Sequence, residues 1–211
     1  MQKVTLNNGV EMPVLGLGVY RIKDLRVCEQ SVYDAIMAGY RLIDTAAIYQ
    51  NEESVGRAVK RSGVPREELF ITSKLCLSDA GYEHTKKAFQ KSLDNLGFDY
   101  LDLYLIHQPF NDVYGSWRAM EELYAESKIR AIGVSNFATD RVIDLGLYNE
   151  IAPIVNQIEI HPFLQQGKNV DYLLQNNIQP QAYSPFCAGR HDFFENEALR
   201  EIGAKYGKSI A

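Results

Sequence analysis

Cysteine is scarce: Cys28, Cys76 and Cys187 are the only three in 211 residues, set far apart with no Cys-x-x-Cys pair. An odd, dispersed count excludes a disulfide framework and the common zinc and dithiol motifs, and reads as free thiols in a reducing compartment. Positive charge is not in excess either, with 22 Lys and Arg against 27 Asp and Glu for a net charge of −5. Polyanion binders carry a clustered basic footprint, so nucleic acid is not expected as a partner. No apolar run approaches the roughly 18 residues of a membrane helix, and Met1 to Gly9 contains no apolar leader segment. The expectation is a cytoplasmic chain with no membrane partner. No Pro-, Gly- or Ser-rich linker divides it, so residues 1–211 read as one domain, large enough to bury roughly 70% of its unfolded surface without a staple.

What the sequence does hold is alternation. Val4 to Met12 alternates around Asn8-Gly9, which predicts a small hairpin with a type I′ turn. Seven short β-branched or aliphatic runs follow: Val14 to Val19, Leu42 to Thr45, Leu69 to Thr72, Leu101 to Ile106, Ala131 to Val134, Ile154 to Ile160 and Ile178 to Tyr183. Amphipathic stretches lie between them, with apolar stripes at Leu25-Cys28-Val32-Ile36, at Ala88-Phe89-Ser92-Leu93-Leu96 and at Trp117-Met120-Leu123-Tyr124. Gly39, Gly63 and Gly97 each stand where a helix C-cap would need positive φ. Parallel strands joined by crossover helices produce this pattern.

A doubly wound sheet and a (β/α)₈ barrel both alternate this way, and the position of the polar residues separates them. Asp44 closes the second run, Lys74 follows the third, His107 the fourth, and Ser135 and Asn136 the fifth. Gln157, Glu159 and His161 fall on or after the sixth, while Tyr183 and Ser184 close the seventh. An open sheet gathers such groups only at its switch point, whereas a barrel brings every strand C-terminus to one mouth. The barrel is favoured.

Strands in a sheet lie about 4.8 Å apart, so Asp44 and Lys74 on neighbouring strand ends are within ion-pair reach. A charged Lys74 beside Tyr49 is expected to lower the phenol's pKa and make it a usable general acid, with His107 orienting a carbonyl oxygen toward it. Asn51 reads as an N-cap, and Glu52 and Glu53 as acidic residues complementing a helix dipole. His161-Pro162 suits a strand-ending cap as well as a substrate contact. Gly16-Leu17-Gly18 lacks the third glycine of a dinucleotide fingerprint, since position 21 is Arg21, and marks a close backbone approach instead. Tyr20, Phe110 and Phe186 can wall a pocket, while Trp117 falls on a core stripe. Cys76 and Cys187 follow the third and seventh runs, near the same mouth.

These residues together resemble the aldo-keto reductase superfamily. The resemblance rests on Gly16-Leu17-Gly18, on Arg41 to Tyr49 continuing to Glu52 and Gly56, on Ile71-Thr72-Ser73-Lys74 and on Asp99 to His107. It extends through Ile132 to Phe137, Asn156-Gln157-Ile158-Glu159 and Ala182-Tyr183-Ser184-Pro185. It implies a (β/α)₈ TIM barrel plugged at its base by the hairpin, and NADPH-dependent reduction of a small-molecule carbonyl substrate. By the same resemblance Tyr49 is the general acid, Asp44 and Lys74 tune it, and His107 orients the carbonyl. Ser135, Asn136 and Gln157 hold the carboxamide of NADPH (NADP+), Tyr183 stacks on its nicotinamide, and Gly18, Val19, Asp44, Ser184 and Phe186 are further cofactor contacts. Tyr20 and Phe110 join Tyr49 and His107 around the substrate. The short segment between His107 and Trp117 fits the bacterial branch acting on small aldehydes, α-keto aldehydes and diketo-gluconate, and Cys76 stands where many relatives carry Trp.

Family members continue past the equivalent of Lys208-Ser209 into an eighth strand and a segment gripping the 2′-phosphate. The expectation is therefore a C-terminally truncated barrel lacking the eighth strand, monomeric if completed and prone to self-association through its open edge if not. Two other readings compete: a non-catalytic fragment that binds cofactor weakly, and a metal-dependent barrel hydrolase using His107, His161 and Asp44.

Overall fold

A computed structural model describes residues 1–211. The hairpin comes first, with β1 (Lys3–Thr5) and β2 (Glu11–Pro13) paired antiparallel, Lys3 opposite Pro13. Its turn differs from the type I′ expectation, which needs positive φ at both central residues. Only Gly9 is left-handed, at φ 84°. The Gly9 amide donates to Leu6 and the Leu6 amide to Val10, so a wider loop replaces the two-residue turn. That loop docks through two side chains: Asn7 Nδ2 donates to Asn177 O and Asn8 Nδ2 to Arg130 O, each at 2.9 Å.

Seven parallel strands follow in the order β3-β4-β5-β6-β7-β8-β9. They are β3 (Gly16–Gly18), β4 (Leu42–Asp44), β5 (Phe70–Leu75), β6 (Leu101–Ile106), β7 (Ile129–Ser135), β8 (Val155–Glu159) and β9 (Gln179–Tyr183). The crossovers carry α1 (Leu25–Met37), α2 (Glu52–Ser62), α3 (Tyr82–Leu96), α4 (Val113–Ala125), α5 (Thr139–Leu147) and α6 (Gly167–Gln175), and α7 (Glu197–Lys205) comes after β9. The sheet is strongly curled. Asp44 on β4 and Gln157 on β8 would be about 19 Å apart in a flat sheet with three strands between them, yet Gln157 Nε2 donates to Asp44 Oδ2 at 2.8 Å. The sheet is therefore barrel-like, as expected, with β3 and β9 as unpaired edges in place of an eighth strand. Arg130 lies near the start of β7 and Asn177 just before β9, so the hairpin closes the N-terminal end and leaves the C-terminal mouth open.

Apolar content decides which strands are covered. Every residue of β5 and β6 is buried, because their aliphatic side chains alternate between the barrel interior and the helices. Both β5 and β7 outrun their apolar stretches, which carries Lys74 and Ser135 onto the strands themselves; Lys74 pairs in register with Leu105. The helical stripes behave as expected at Cys28, Val32 and Ile36, at Phe89, Ser92, Leu93 and Leu96, and at Trp117, Met120 and Leu123. Leu25 differs, standing exposed at the first residue of α1, where the stripe has not yet reached the sheet. Trp117 is wholly buried and its Nε1 donates to Ile151 O at 2.9 Å. Gly63 and Gly97 cap α2 and α3 in the left-handed region, at φ 70° and 69°.

Candidate active site

The mouth is built from strand ends. Asp44 is the last residue of β4, Lys74 lies next to the last of β5, and His107 follows β6 directly. The register staggers them, Asp44 pairing with Thr72 and Lys74 with Leu105, so each lies two residues further along its strand than the one before, and Tyr49 reaches the same mouth from a short helical turn, Ala47 to Tyr49, after β4. Lys74 is 1% exposed, so its ammonium needs fixed partners. It has two: Nζ donates to Asp44 Oδ1 at 2.5 Å and to Thr45 O at 2.9 Å. Asp44 is in turn held by Gln157, and Gln157 Nε2 also donates to Gln181 Oε1 at 3.0 Å.

The aromatic groups pack over this pair. The Tyr49 ring centroid stands 5.3 Å from Lys74 Nζ and 5.7 Å from the His107 ring, the two rings meeting edge to face at 76°. Tyr20, largely exposed, lies over the outer side of Tyr49 with centroids 5.0 Å apart. Electrostatics here correct one expectation. The Tyr49 phenol is pushed well above its usual range, first by burial and then by the Asp44 carboxylate, and the nearby lysine does not reverse this. Tyr49 therefore stays protonated. Burial, reinforced by the positive charge of Lys74, pulls His107 down to about 4, so its imidazole is neutral near pH 7.

Beside this cluster lies a group of amides and hydroxyls. Ser135 Oγ donates to Gln157 O at 2.9 Å, while Asn136 Nδ2 donates to His107 O at 3.0 Å and to Ser135 Oγ at 3.1 Å. Asn136 sits at φ 63°, a left-handed conformation that asparagine tolerates better than most residues. Tyr183 OH closes the group by donating to Asn136 Oδ1 at 2.8 Å. Gln181, not singled out from the sequence, belongs here; its signal was a polar side chain in strand alternation with Gln179. Val19 is buried at the end of β3, its amide donating to Asp44 O at 3.1 Å, and a Cβ on Gly18 would meet nothing within 4 Å. The close approach expected of this glycine pair falls instead at Gly16, where a Cβ would come 2.3 Å from a Leu42 methyl.

Other expected residues are not brought in. Phe186 packs with Phe193 and Phe194, ring centroids 5.9 Å from each, in an aromatic cluster beyond β9. Ser184, at φ 49°, begins the turn leading there and accepts the Cys187 amide. Phe110 stands exposed after β6. His161 is a turn residue: its Nδ1 accepts the Phe163 amide at 3.2 Å and its backbone bridges Leu164, the capping alternative raised by the sequence. His107, His161 and Asp44 do not converge, and no group of three or more His, Cys, Asp or Glu is arranged to hold a metal ion, which removes the ground for a metal-dependent hydrolase. Cys187 is buried, and Cys76 accepts from Ser78 Oγ at 3.3 Å. Asn51 stands at the N-cap position of α2 but makes no side-chain capping bond, and Glu52, in the first turn as expected, is buried with its partners outside the helix.

The sequence model of the Aldo/keto reductase family matches residues 15–211. A glyoxal reductase of Bacillus subtilis is 53% identical over 209 residues, which take in 99% of this chain and 75% of that protein. Among solved structures, an aldo-keto reductase from a Medee basin deep-sea metagenome superposes with a TM-score of 0.93 at 47% identity, covering 98% of this chain and 77% of the other. An aldo-keto reductase of Bombyx mori in complex with NADP gives a TM-score of 0.93 at 35% identity, over 99% of this chain and 77% of the other.

Proposed function

Because the chain belongs to the aldo/keto reductase family, we propose that it reduces the carbonyl group of small aldehydes and ketones with NADPH, Tyr49 serving as proton donor. The observation that carries the assignment of roles is the convergence of Asp44, Tyr49, Lys74 and His107 at the mouth of the sheet. Small α-keto aldehydes and keto-sugars are the proposed substrates. Identity to a glyoxal reductase supports this choice, as do the few residues that separate His107 from the start of α4 and leave the mouth without a large loop.

The residues present fit a nicotinamide carboxamide, which needs both a donor and an acceptor. No hydrogen bond reaches Gln157 Oε1, which leaves an acceptor for an amide N–H, and the donors of Ser135 and Asn136, engaged with Gln157 O, His107 O and Ser135 Oγ, would turn one hydrogen toward the carboxamide oxygen on binding. The Tyr183 ring, anchored through its hydroxyl, offers a flat apolar face. When bound, the reduced nicotinamide supplies a hydrogen with its electron pair to the carbonyl carbon. The protein's own work is on the oxygen. Neutral His107 donates one hydrogen bond to it and Tyr49 a second. As negative charge gathers there, the Tyr49 proton transfers, and the Lys74 ammonium, held by Asp44, stabilises the phenolate left behind. A phenol with a raised pKa suits this order of events, since it holds its proton until an alkoxide demands it.

The test is NADPH oxidation with methylglyoxal. Tyr49→Phe is expected to lower turnover by roughly 10²–10⁴-fold, the usual span for a general acid, while leaving NADPH affinity unchanged. Unchanged turnover sinks the role of Tyr49, and a fluorescence titration in which the 211-residue chain shows no NADPH binding overturns the activity of this form. Three unpaired cysteines support a cytoplasmic setting, and no helix is long and apolar enough to cross a membrane. The unpaired β3 and β9 edges support self-association of the chain.

A further inference from the structure

α2 opens with two adjacent carboxylates that the fold treats oppositely. Glu53 is exposed and lies 3.7 Å from Arg57 one turn on. Glu52 is 3% exposed and makes no ion pair; instead Ser73 Oγ donates to its Oε1 at 2.6 Å and Asn95 Nδ2 donates to its Oε2 at 3.0 Å. A buried carboxylate without a cation is costly, and complementing a helix dipole would not require burial. Asn51, just before it, is 1% exposed and makes no capping bond to α2. Its Oδ1 accepts from Thr45 Oγ1 at 2.8 Å, and its Nδ2 donates to Val19 O at 3.1 Å.

These two residues thus reach β3, the end of β4, β5 and α3. Both contacts touch the surroundings of the lysine: Ser73 is the neighbour of Lys74, and the Thr45 carbonyl is one of the two acceptors of Lys74 Nζ. Between Thr45 and Asn51 runs the short loop that carries Tyr49. Within it the backbone makes only two turn bonds, Tyr49 N to Ala46 O at 2.9 Å and Gln50 N to Ala47 O at 3.2 Å. One turn along α2 from Glu52, Gly56 lets the helix rest on α3: a Cβ there would lie 2.1 Å from Leu96 O, beside Asn95. The Glu52–Asn95 contact has no room to slide.

We propose that Asn51 and Glu52 are positioning residues, a buried latch that holds the Tyr49 phenol in register with Lys74 and Asp44. This rests on the reading of Tyr49 as proton donor. One end of the Tyr49 loop is fixed by β4 and the other by the latch, so releasing the latch frees the loop to shift against β5.

The experiment uses the full chain carrying Glu52→Ala, Asn51→Ala or Glu52→Gln, with Glu53→Ala as control. A displacement of about 1 Å can cost roughly 100-fold, so Glu52→Ala and Asn51→Ala are expected to lower kcat by roughly 10- to 100-fold with KM within about threefold. Glu52→Gln keeps the acceptor for Ser73, and Asn95 can invert its amide to meet the new one, so it should recover to within about threefold of the parent. In the cofactor-free protein, the ¹³C-labelled Tyr49 ring resonance, assigned by its loss in Tyr49→Phe, should move in both alanine variants and stay in Glu52→Gln and Glu53→Ala. If an alanine variant fails to fold, Ser73→Ala and Asn95→Ala, each removing one bond, carry the same readouts. A lower Tm with unchanged kcat per folded site and an unmoved Tyr49 resonance overturns the proposal. Full turnover by Tyr49→Phe would instead defeat the proton-donor reading, and the resonance would still judge the latch.

Discussion

β6 and β9 are both parallel strands of the same sheet, yet all six residues of β6 are buried and none of the five residues of β9 is. The difference follows from their neighbours in the sheet: β6, with α3 and α4 against it, pairs on both sides, while β9, with α6 against it, pairs only with β8. The two halves of the site divide along the same line. Asp44, Lys74 and His107 grow from β4, β5 and β6, where packing fixes side chains to within their rotamers. Tyr183 and Ser184 stand at the end of an edge strand. Asp44, Lys74 and His107 therefore sit on a rigid frame, and the ring proposed to face the nicotinamide sits on a less covered one.

The largest effect expected on this comparison comes from breaking the buried pair. Lys74→Met leaves Asp44 without its cation and should lower stability by about 3 kcal/mol, read as a denaturant midpoint at constant m value, besides abolishing turnover. Next, Leu103→Ala on β6 is expected to cost about 2–5 kcal/mol, whereas Gln179→Ala on β9 should cost under about 0.5 kcal/mol. Equal losses would erase the distinction between the two regions. A smaller change is expected for Tyr183→Leu: a rise of up to about tenfold in the Kd for NADPH, because aromatic stacking contributes about 0.5–1.5 kcal/mol, with a small fall in Tm from loss of the hydroxyl bond to Asn136.

The last expected effect is a slope with pH. His107 titrates near 4 in the folded chain and about 6.5 when unfolded, so between those values the unfolded state binds the extra proton. Its contribution to stability is complete above about pH 6.5 and is lost as pH falls toward 4. A urea titration across that window should show the slope in the parent and a flatter one in His107→Gln. If both slopes are equal, His107 is not held neutral by its surroundings.

Much of this was legible in residue order, for identifiable reasons. Strand cores announce themselves as short β-branched runs, and Asp44, Lys74 and His107 were visible because a polar group at the end of such a run needs explaining. Long-range contacts left no such mark. Glu52 looked like a helix-opening acid because its true partners, Ser73 and Asn95, lie 21 and 43 residues away. The sign of the Tyr49 shift depended on burial, which the neighbouring lysine in the sequence argument could not convey. Phe186 likewise follows β9 in order but turns to Phe193 and Phe194, because the left-handed residues at Ser184, Cys187 and Ala188 redirect the chain.

The hairpin at the base also has a consequence in time. Asn8 grips a carbonyl 122 residues downstream and Asn7 one 170 residues downstream, so the hairpin is synthesised well before the strands it docks on. At about 5–20 residues per second, Asn7 waits roughly 10–30 s for its acceptor to be made. Until then the bond that ties Asn7 to the segment before β9 cannot form, and the hairpin, whose Leu6 and Met12 are buried in the finished fold, lacks that anchor.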